Sequence, residues 1–322
     1  MSSAGRPKIL LDNRHPRYNV MSVSSFRPTI IIPTKNRADV LSQLLKSIEQ
    51  LDAVDGILPE IIVADNNSQD DTYDRVKATA GCCRATVRAV KVSRPGKSAA
   101  LNEALKLATG DVVAFLDDDV VVDKNWLAAI ENFFRNGKYQ VGQGIIRLPA
   151  PEKDDPEILK LVERYRTIPK LEFKRQLNQI YSLNGANFFA SREVFDRIGG
   201  FDERLGPGAS GTSEDVDFAR RLAGANIAIG YVPQAIVYHR VDLSRLTEEY
   251  FKQRHLRQGG SRFLIRQRGN AAILFNLARA SLRYAYYTVR GKDRDRYRCK
   301  GRIYHYLGMM EAKQSHAGEK RK

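Results

Sequence analysis

The stretch Val112–Trp126, VVAFLDDDVVVDKNW, sets a run of apolar residues directly against three consecutive carboxylates. Val112, Val113, Ala114, Phe115 and Leu116 read as a buried strand, bounded by Gly110-Asp111 before and by acids after. Three like charges at a strand end repel one another and lose hydration, so taken alone the triplet reads as a solvated turn capping the strand. A second reading gives it chemistry. Successive side chains on a strand alternate faces, which sends Asp117 and Asp119 one way and Asp118 the other. Two hard oxygen ligands on one face suit Mg²⁺ or Mn²⁺ bridging a diphosphate, with Asp118 left to meet a ribose hydroxyl or the backbone. A D-x-D pattern is common by chance, and its weight depends on the rest of the chain.

Working outward, strand and helix signals alternate. PTIIIP (Pro28–Pro33) is a short buried strand, and Val40, Leu41, Leu44, Leu45 and Ile48 follow at helical spacing. EIIVAD (Glu60–Asp65) is a second strand, with a polar helix after it that Ser68 can N-cap. ATVRAVKV (Ala85–Val92) is a third strand, and SAALNEALKLATG a helix ending at Gly110. The expectation is an α/β fold with βαβ units and a mainly parallel first half, binding its ligand at the carboxyl ends of the strands. Neither a G-x-G-x-x-G fingerprint nor a P-loop follows the first strand. Beyond residue 140 the pattern is mixed. YQVGQGIIRL and NGANFFAS look like strands, Ser191 can cap a short helix, and Ser213 another containing Val216, Phe218, Ala219 and Leu222. IAIGYVPQAIVYH reads as a strand pair, and from Leu246 onward the chain is helical and basic.

Charge divides the chain. Its net charge is +16, and Arg240–Lys322 holds 21 Lys and Arg against 7 Asp and Glu, a net of +14. A nearly neutral body with a basic tail points to an anionic partner surface. Three cysteines without metal spacing fit a reducing cytoplasm. Residues 1–27 lack the apolar core of a secretory signal and read as a flexible arm. No stretch approaches the ~20 apolar residues of a membrane span.

The ordered set PTKNR, VADNNSQD, RPGKSAALNEAL, AFLDDDVVVD, GANFFASREVFDRIGGFDE, SEDVDFARRL and VYHR resembles the family 2 glycosyltransferases, inverting enzymes of the GT-A fold that use nucleotide-diphospho-sugars. The resemblance runs from about Pro28 to Arg240 and implies a Rossmann-like nucleotide-binding half with a mixed central sheet, residues 28–240, followed by a basic helical region, 241–322. It implies that Pro33, Thr34 and Arg37 line the base and ribose pocket and that Asp65 bonds the base. Lys97 and Asn102 would lie by the diphosphate, although ordinary helix-start polarity explains both equally simply. Asp117 and Asp118 would contact the sugar nucleotide. Asp117, Asp119 and His239 would hold Mn²⁺ or Mg²⁺, the alternative for His239 being a polar strand cap. Asn184, Gly185, Ala186, Gly200, Phe201, Asp202 and Glu214 would form the sugar and acceptor pocket. Asp215 would be the catalytic base, its pKa depressed by the helix N-terminus, against the alternative of a plain helix cap.

One departure concerns the acceptor. Many members place Trp-Gly before the acidic pair, whereas here stands GPGASGTSED, a glycine-rich loop expected to be mobile and to close over the donor. QGGSRF (Gln258–Phe263) is one residue too long for the processive Q-x-x-R-W signature, which favours single addition. AAILFNLARASLRYAYYTVR (Ala271–Arg290) is amphipathic. Leu274, Leu277, Ala278, Ser281, Leu282, Ala285 and Val289 share one broad face, with Arg279, Arg283 and Arg290 elsewhere. It suits an interfacial helix on the inner face of the cell membrane, near a saccharide or polyprenyl-linked acceptor, or else a helix docked on the enzyme. A nucleic-acid-binding protein, a sugar nucleotidyltransferase and a non-catalytic carbohydrate binder are the competing readings. The first leaves the strand-end residues unexplained, the second usually carries a glycine-rich phosphate loop that PTKNR is not, and the third is disfavoured by metal and base positions that are all filled; no nucleic acid is expected as partner.

Overall fold

The computed structural model describes residues 26–319 other than 82 and 174–176, with side chains to residue 316. The expected arm therefore lies outside the described residues as far as residue 25. Its last two positions belong to the fold: Phe26 is buried and Arg27 pairs with Asp111 at 2.8 Å.

The chain alternates through β1 (Pro28–Thr34), α1 (Ala38–Glu49), β2 (Glu60–Asp65), α2 (Thr72–Thr79), β3 (Thr86–Lys91), α3 (Lys97–Leu107) and β4 (Val112–Leu116). β5 (Val120–Val122), α4 (Trp126–Arg135), β6 (Val141–Arg147), α5 (Pro156–Tyr165), β7 (Gln179–Ile180), β8 (Asn187–Ser191) and α6 (Arg192–Ile198) follow. α7 (Glu214–Gly224), β9 (Ile229–His239), α8 (Glu248–Ile265), α9 (Asn270–Val289) and α10 (Asp293–Glu319) complete it. Among the described residues nine strands form one sheet in the order β3-β2-β1-β4-β8-β6-β9-β5, with β7 pairing β9. β1 to β4 are mutually parallel, while β8 runs antiparallel between β4 and β6.

The strands of the parallel half are apolar almost throughout because both of their faces are covered. Ile30, Ile32, Ile61, Val63, Val112, Ala114 and Leu116 point into one core with α1 and α4. Ile31, Ile62, Ala64, Val113 and Phe115 point into the other, with α3 and α7. Two helices escaped the sequence reading. α4 buries Trp126, Leu127, Ile130 and Phe134, a helical period masked by the acids before it. α5 carries a plain start signal, Asp155 accepting from the backbone N–H of Glu157 and Ile158, with Pro156 next.

IAIGYVPQAIVYH is one strand rather than a pair. β9 pairs β6 along its length, and the register jumps from Gly144↔Val232 to Ile145↔Ile236. Pro233, which has no N–H for the ladder, falls inside that irregularity. α2 also starts later than expected, with Asp71 rather than Ser68 at its N-cap position.

The C-terminal helices are built into the body. Leu148, Val162 and Tyr165 share a buried cluster with Val241, Leu246, Phe251 and Tyr297, so packing is continuous across the expected boundary at residue 240. α8 and α10 meet backbone to backbone. A Cβ at Gly259 would lie 2.0 Å from the His305 carbonyl oxygen, and one at Gly308 2.0 Å from that of Leu256. α9 packs through Ile273 and Ala280, leaving Leu274, Phe275, Leu282 and Val289 exposed. No helix among the described residues is long and apolar enough to cross a membrane.

Candidate active site

The acidic triplet is not on the strand. β4 ends at Leu116 and β5 begins at Val120, so Asp117–Asp119 form the turn between them. β5 then pairs antiparallel with β9, setting Val120 opposite His239. That pairing delivers a residue from the far end of the chain to the side of Asp119. The turn opens on a cleft of about 600 Å³, walled by the ends of β1 and β4, the start of α7 and one face of α8.

Each carboxylate of the triplet meets a cation, Arg37 being shared by two of them. Asp117 accepts from Lys97 Nζ at 2.5 Å, and the same ammonium lies 3.2 Å from Glu214. Asp118 accepts from Thr34 Oγ1 and Arg37 Nη1, both at 2.8 Å. Asp119 meets Arg37 at 2.8 Å and Arg245 at 3.0 Å. Burial, with Asp119 and Asp117 nearby, pushes the Asp118 carboxyl up to about 6 against the pull of Arg37 and Thr34. Burial would raise Asp119 too, but the Arg245 and Arg37 guanidinium groups beside it hold it well below the usual carboxylate range.

Metal-ligand atoms of Asp117, Asp119 and His239 all lie within 4.8 Å of one another. His239 Nδ1 is 2.8 Å from the Arg240 carbonyl, an acceptor only, so Nδ1 carries the proton and donates it there. Its buried Nε2 then presents a lone pair, lies 3.2 Å from Asp119 Oδ1, and has no hydrogen-bond partner. Two acceptors facing each other across that gap are what a shared cation relieves, and the backbone bond orients the ring for it. The three residues fit a divalent metal.

Asp215, in the first turn of α7, lines the same cleft. Its Oδ2 accepts from the Gly185 N–H at 3.1 Å and its Oδ1 from the Val216 N–H at 2.8 Å. The expectation of a depressed pKa is overturned. Burial and the neighbouring Glu214 push Asp215 up to about 6, outweighing Lys97 and the two backbone donors. Ser213 occupies the N-cap position in the left-handed region, φ 79°, and its side chain caps nothing.

Pro33, Thr34 and Arg37 line the cleft from the end of β1, with Lys97 and the triplet beside them. Asn184, Gly185, Glu214 and Asp215 line its opposite side. Other expected residues sit behind the surface. Asp65 is buried and accepts from the hydroxyl and N–H of Ser68, while its neighbour Asn66 faces the cleft. Asn102 spends its amide on the Phe201 backbone, donating to O at 2.9 Å and accepting from N at 2.8 Å. Gly200 packs against that amide, and Phe201 stacks on Phe218 in the core. Asp202 pairs with Arg204, and Ala186 is fully buried. None of these six lines the cleft, and Gly200 and Phe201 are turned away by their packing against Asn102 and the aromatic core.

The glycine-rich loop is not a free lid. The Pro207 carbonyl accepts from the Lys97 N–H at 2.8 Å, Leu205 O accepts from Ser98 Oγ at 2.8 Å, and Ser210 Oγ meets Ser261 Oγ at 2.7 Å. Sequence reasoning missed the residues that come from beyond position 240: Arg245, Tyr250, Arg254, Arg257 and Gln258 all reach the cleft. The i, i+3, i+4 spacing of Arg254, Arg257 and Gln258 shows one helical face, but nothing in it tells that face from the other cationic faces of the tail.

Residues 29–199, just over half the chain, match the model of "Glycosyl transferase family 2". A pre-mycofactocin glycosyltransferase of Mycobacterium tuberculosis is 29% identical over 253 residues, 74% of this chain and 48% of that one. A beta-monoglucosyldiacylglycerol synthase of Nostoc sp. is 26% identical over 221 residues, 64% of this chain and 44% of that one. The chain thus spans about half the length of these curated relatives. Among solved structures, a mannosyltransferase from Pyrobaculum calidifontis in complex with GDP-Man and Mn²⁺ superposes with a TM-score of 0.55 at 19% identity, over 95% of this chain and 79% of that one. That likeness is one of fold, a GT-A-type α/β body with a mixed sheet. With the motif order, the sheet and the family match in agreement, this chain belongs to the family 2 glycosyltransferases.

Proposed function

We propose that the chain is an inverting glycosyltransferase that moves one sugar from a nucleotide-diphospho-sugar, UDP-linked by preference, to a hydroxyl of a saccharide or lipid-linked saccharide. The observation that carries this reading is one cleft that holds both a metal-fitting cluster and a carboxylate of raised pKa, Asp215. Mn²⁺ or Mg²⁺ on Asp117, Asp119 and His239 would offset charge on the departing diphosphate. Lys97, 2.5 Å from Asp117 and 3.2 Å from Glu214, holds a second positive charge beside the same place. The acceptor oxygen attacks the anomeric carbon as the bond to the diphosphate oxygen breaks, and its proton passes to Asp215. The Gly185 and Val216 N–H groups fix that carboxylate, and its value near 6 suits a base working at neutral pH. Thr34 and Arg37 orient Asp118, next to the ribose end of the donor.

The relatives support the donor class and the metal, one having been solved with GDP-Man and Mn²⁺. A relative named for a glycosylated diacylglycerol supports a lipid-linked acceptor. The exposed apolar residues of α9, flanked by Arg279, Arg283 and Arg290, suit peripheral attachment to an anionic membrane on its cytoplasmic face. Calorimetry over UDP, GDP and dTDP, each with Mn²⁺ and with EDTA, tests the donor reading. Tight binding of one nucleotide only with metal supports it, and equal binding in EDTA overturns the metal role. The anomeric configuration of the product, read by NMR, decides inversion.

A further inference from the structure

Behind Asp215 lies a second cavity of about 510 Å³, within the ~300–1,000 Å³ of small-molecule sites. Its walls come from α5, α8, α10 and the first turn of α7. It shares Ser213, Val216, Arg254 and Gln258 with the donor cleft, so the two spaces adjoin at the residues that bracket Glu214-Asp215.

Its chemistry is one-sided. Arg164, Arg166, Arg254, Arg262, Arg298 and Arg302 line it, and no carboxylate does. Arg164 is committed to Asp293 at 2.8 Å, and Arg254 donates to the Thr167 carbonyl at 2.9 Å. Arg166, Arg262, Arg298 and Arg302 form no ion pair among the described residues. By contrast, Lys97, Arg37, Arg245 and Arg221 each have a carboxylate partner. Like charges gathered around a concavity repel and weaken the folded state unless an anion neutralises them, and guanidinium groups bind phosphate through paired N–H donors.

We infer that this arginine-lined cavity binds a phosphate group carried by the acceptor, holding it so that the acceptor hydroxyl enters the donor cleft at Asp215. The inference rests on the reading of Asp215 as the base and adds the acceptor's chemical class. Its phosphate has two available sources, a soluble sugar or polyol phosphate and a lipid phosphate. The second is reachable because Arg298, Arg302 and Tyr306 also line the groove between α9 and α10.

The test uses the full chain with the donor cleft saturated by nucleoside diphosphate and Mn²⁺, and a double variant, Arg262→Gln with Arg302→Gln. Neither residue lines the donor cleft. Calorimetry with inorganic phosphate and with glycerol phosphate forms one arm. Co-sedimentation with phosphatidylcholine vesicles containing a polyprenyl phosphate, against vesicles containing the uncharged polyprenol, forms the other. The wild type should bind in at least one arm, and the double variant at least tenfold more weakly in that arm, with nucleotide affinity unchanged in both proteins. Binding in the soluble arm alone assigns a soluble phosphate, and preference for the phosphorylated lipid over polyprenol assigns a lipid phosphate. Absence of binding in both arms, or equal binding by wild type and variant, overturns the inference. Failure of the wild type to bind any nucleotide would strike the glycosyltransferase reading instead, so the two failures are distinct.

Discussion

Arg245 lies six residues past the last strand, yet its Nη2 stands 3.0 Å from Asp119 Oδ2, the same oxygen that Arg37 Nη1 meets at 2.8 Å. The carboxylate best placed to bind a metal is therefore held by guanidinium groups from both ends of the fold. A divalent cation must compete with them, and any phosphate arriving with it gives the displaced arginines a new partner. Arg245→Ala should consequently tighten Mn²⁺ binding in the absence of nucleotide by up to about tenfold, ~1.4 kcal/mol, while weakening nucleotide diphosphate binding in its presence. Titration of Mn²⁺ with and without nucleotide reads both effects. Unchanged Mn²⁺ affinity would show that Arg245 does not compete.

Asp215 carries opposite consequences for rate and stability. Asp215→Asn should keep donor binding and lose turnover by roughly 10²–10⁴, the range of a general base. In the wild type, turnover at saturating donor should climb as pH rises through about 6 and level off above it, because the working form is the carboxylate. The folded pKa lies above the unfolded one, so ionisation costs folding free energy. That cost is absent below about pH 4, grows up to about 6 and stays constant above. Metal-free Asp215→Asn should then be more stable than wild type at pH 7–8 by roughly 3 kcal/mol, and equal to it near pH 3.5. Denaturant melts at the two pH values decide. An Asn variant no more stable at pH 7.5 than at pH 3.5 would count against a strained base.

His239→Gln isolates the metal. The substitution removes the lone pair aimed at Asp119 and leaves Asp117 and Asp119 in place. Nucleotide binding should lose its dependence on Mn²⁺, and direct Mn²⁺ affinity should fall by roughly 10–100-fold, the scale seen when a site's imidazole geometry is lost. Retained Mn²⁺ dependence would assign His239 to a capping role.

The outer face of α9 predicts a salt-sensitive attachment. Leu282 is 74% exposed and Val289 89%, beside Arg283 and Arg290. The full chain should float with anionic liposomes, less so as salt screens the charges, and charge reversal at Arg279, Arg283 and Arg290 should abolish floating with nucleotide binding intact. Should the chain ignore anionic vesicles at low salt, that face serves something other than a membrane.

The parallel half was readable because β1, β2 and β4 are largely apolar runs, and β3 an alternating one, set between helices. The 3.6-residue period of Leu41, Leu44, Leu45 and Ile48 has one structural solution there. The second half was harder for physical reasons. A register jump at Pro233 disguised one long strand as two, and α4 hides behind Asp123 and Lys124. At the site, spacing indicates which residues belong to strand ends but not which way the peptide turns after them. Asp65, Asn102 and Phe201 therefore look like cleft residues and are wall. The raised pKa of Asp215 was equally hidden, because a helix N-terminus is visible in sequence while desolvation and the adjacent Glu214 act only once folded.

The glycine contacts between α8 and α10 work as a latch. Gly259 and Gly308 let two backbones touch, so the spacing of the arginines on either side is set by steric exclusion rather than by side chains that could rearrange. One added methyl, Gly308→Ala, must wedge the helices apart and spread the arginine cavity, while Asp117 in the β4–β5 turn, Lys97 at the start of α3 and His239 at the end of β9 lie outside the two helices. α8 also lines the first cleft through Arg254, Arg257 and Gln258, so a wedge driven between the two helices would be felt in both spaces at once.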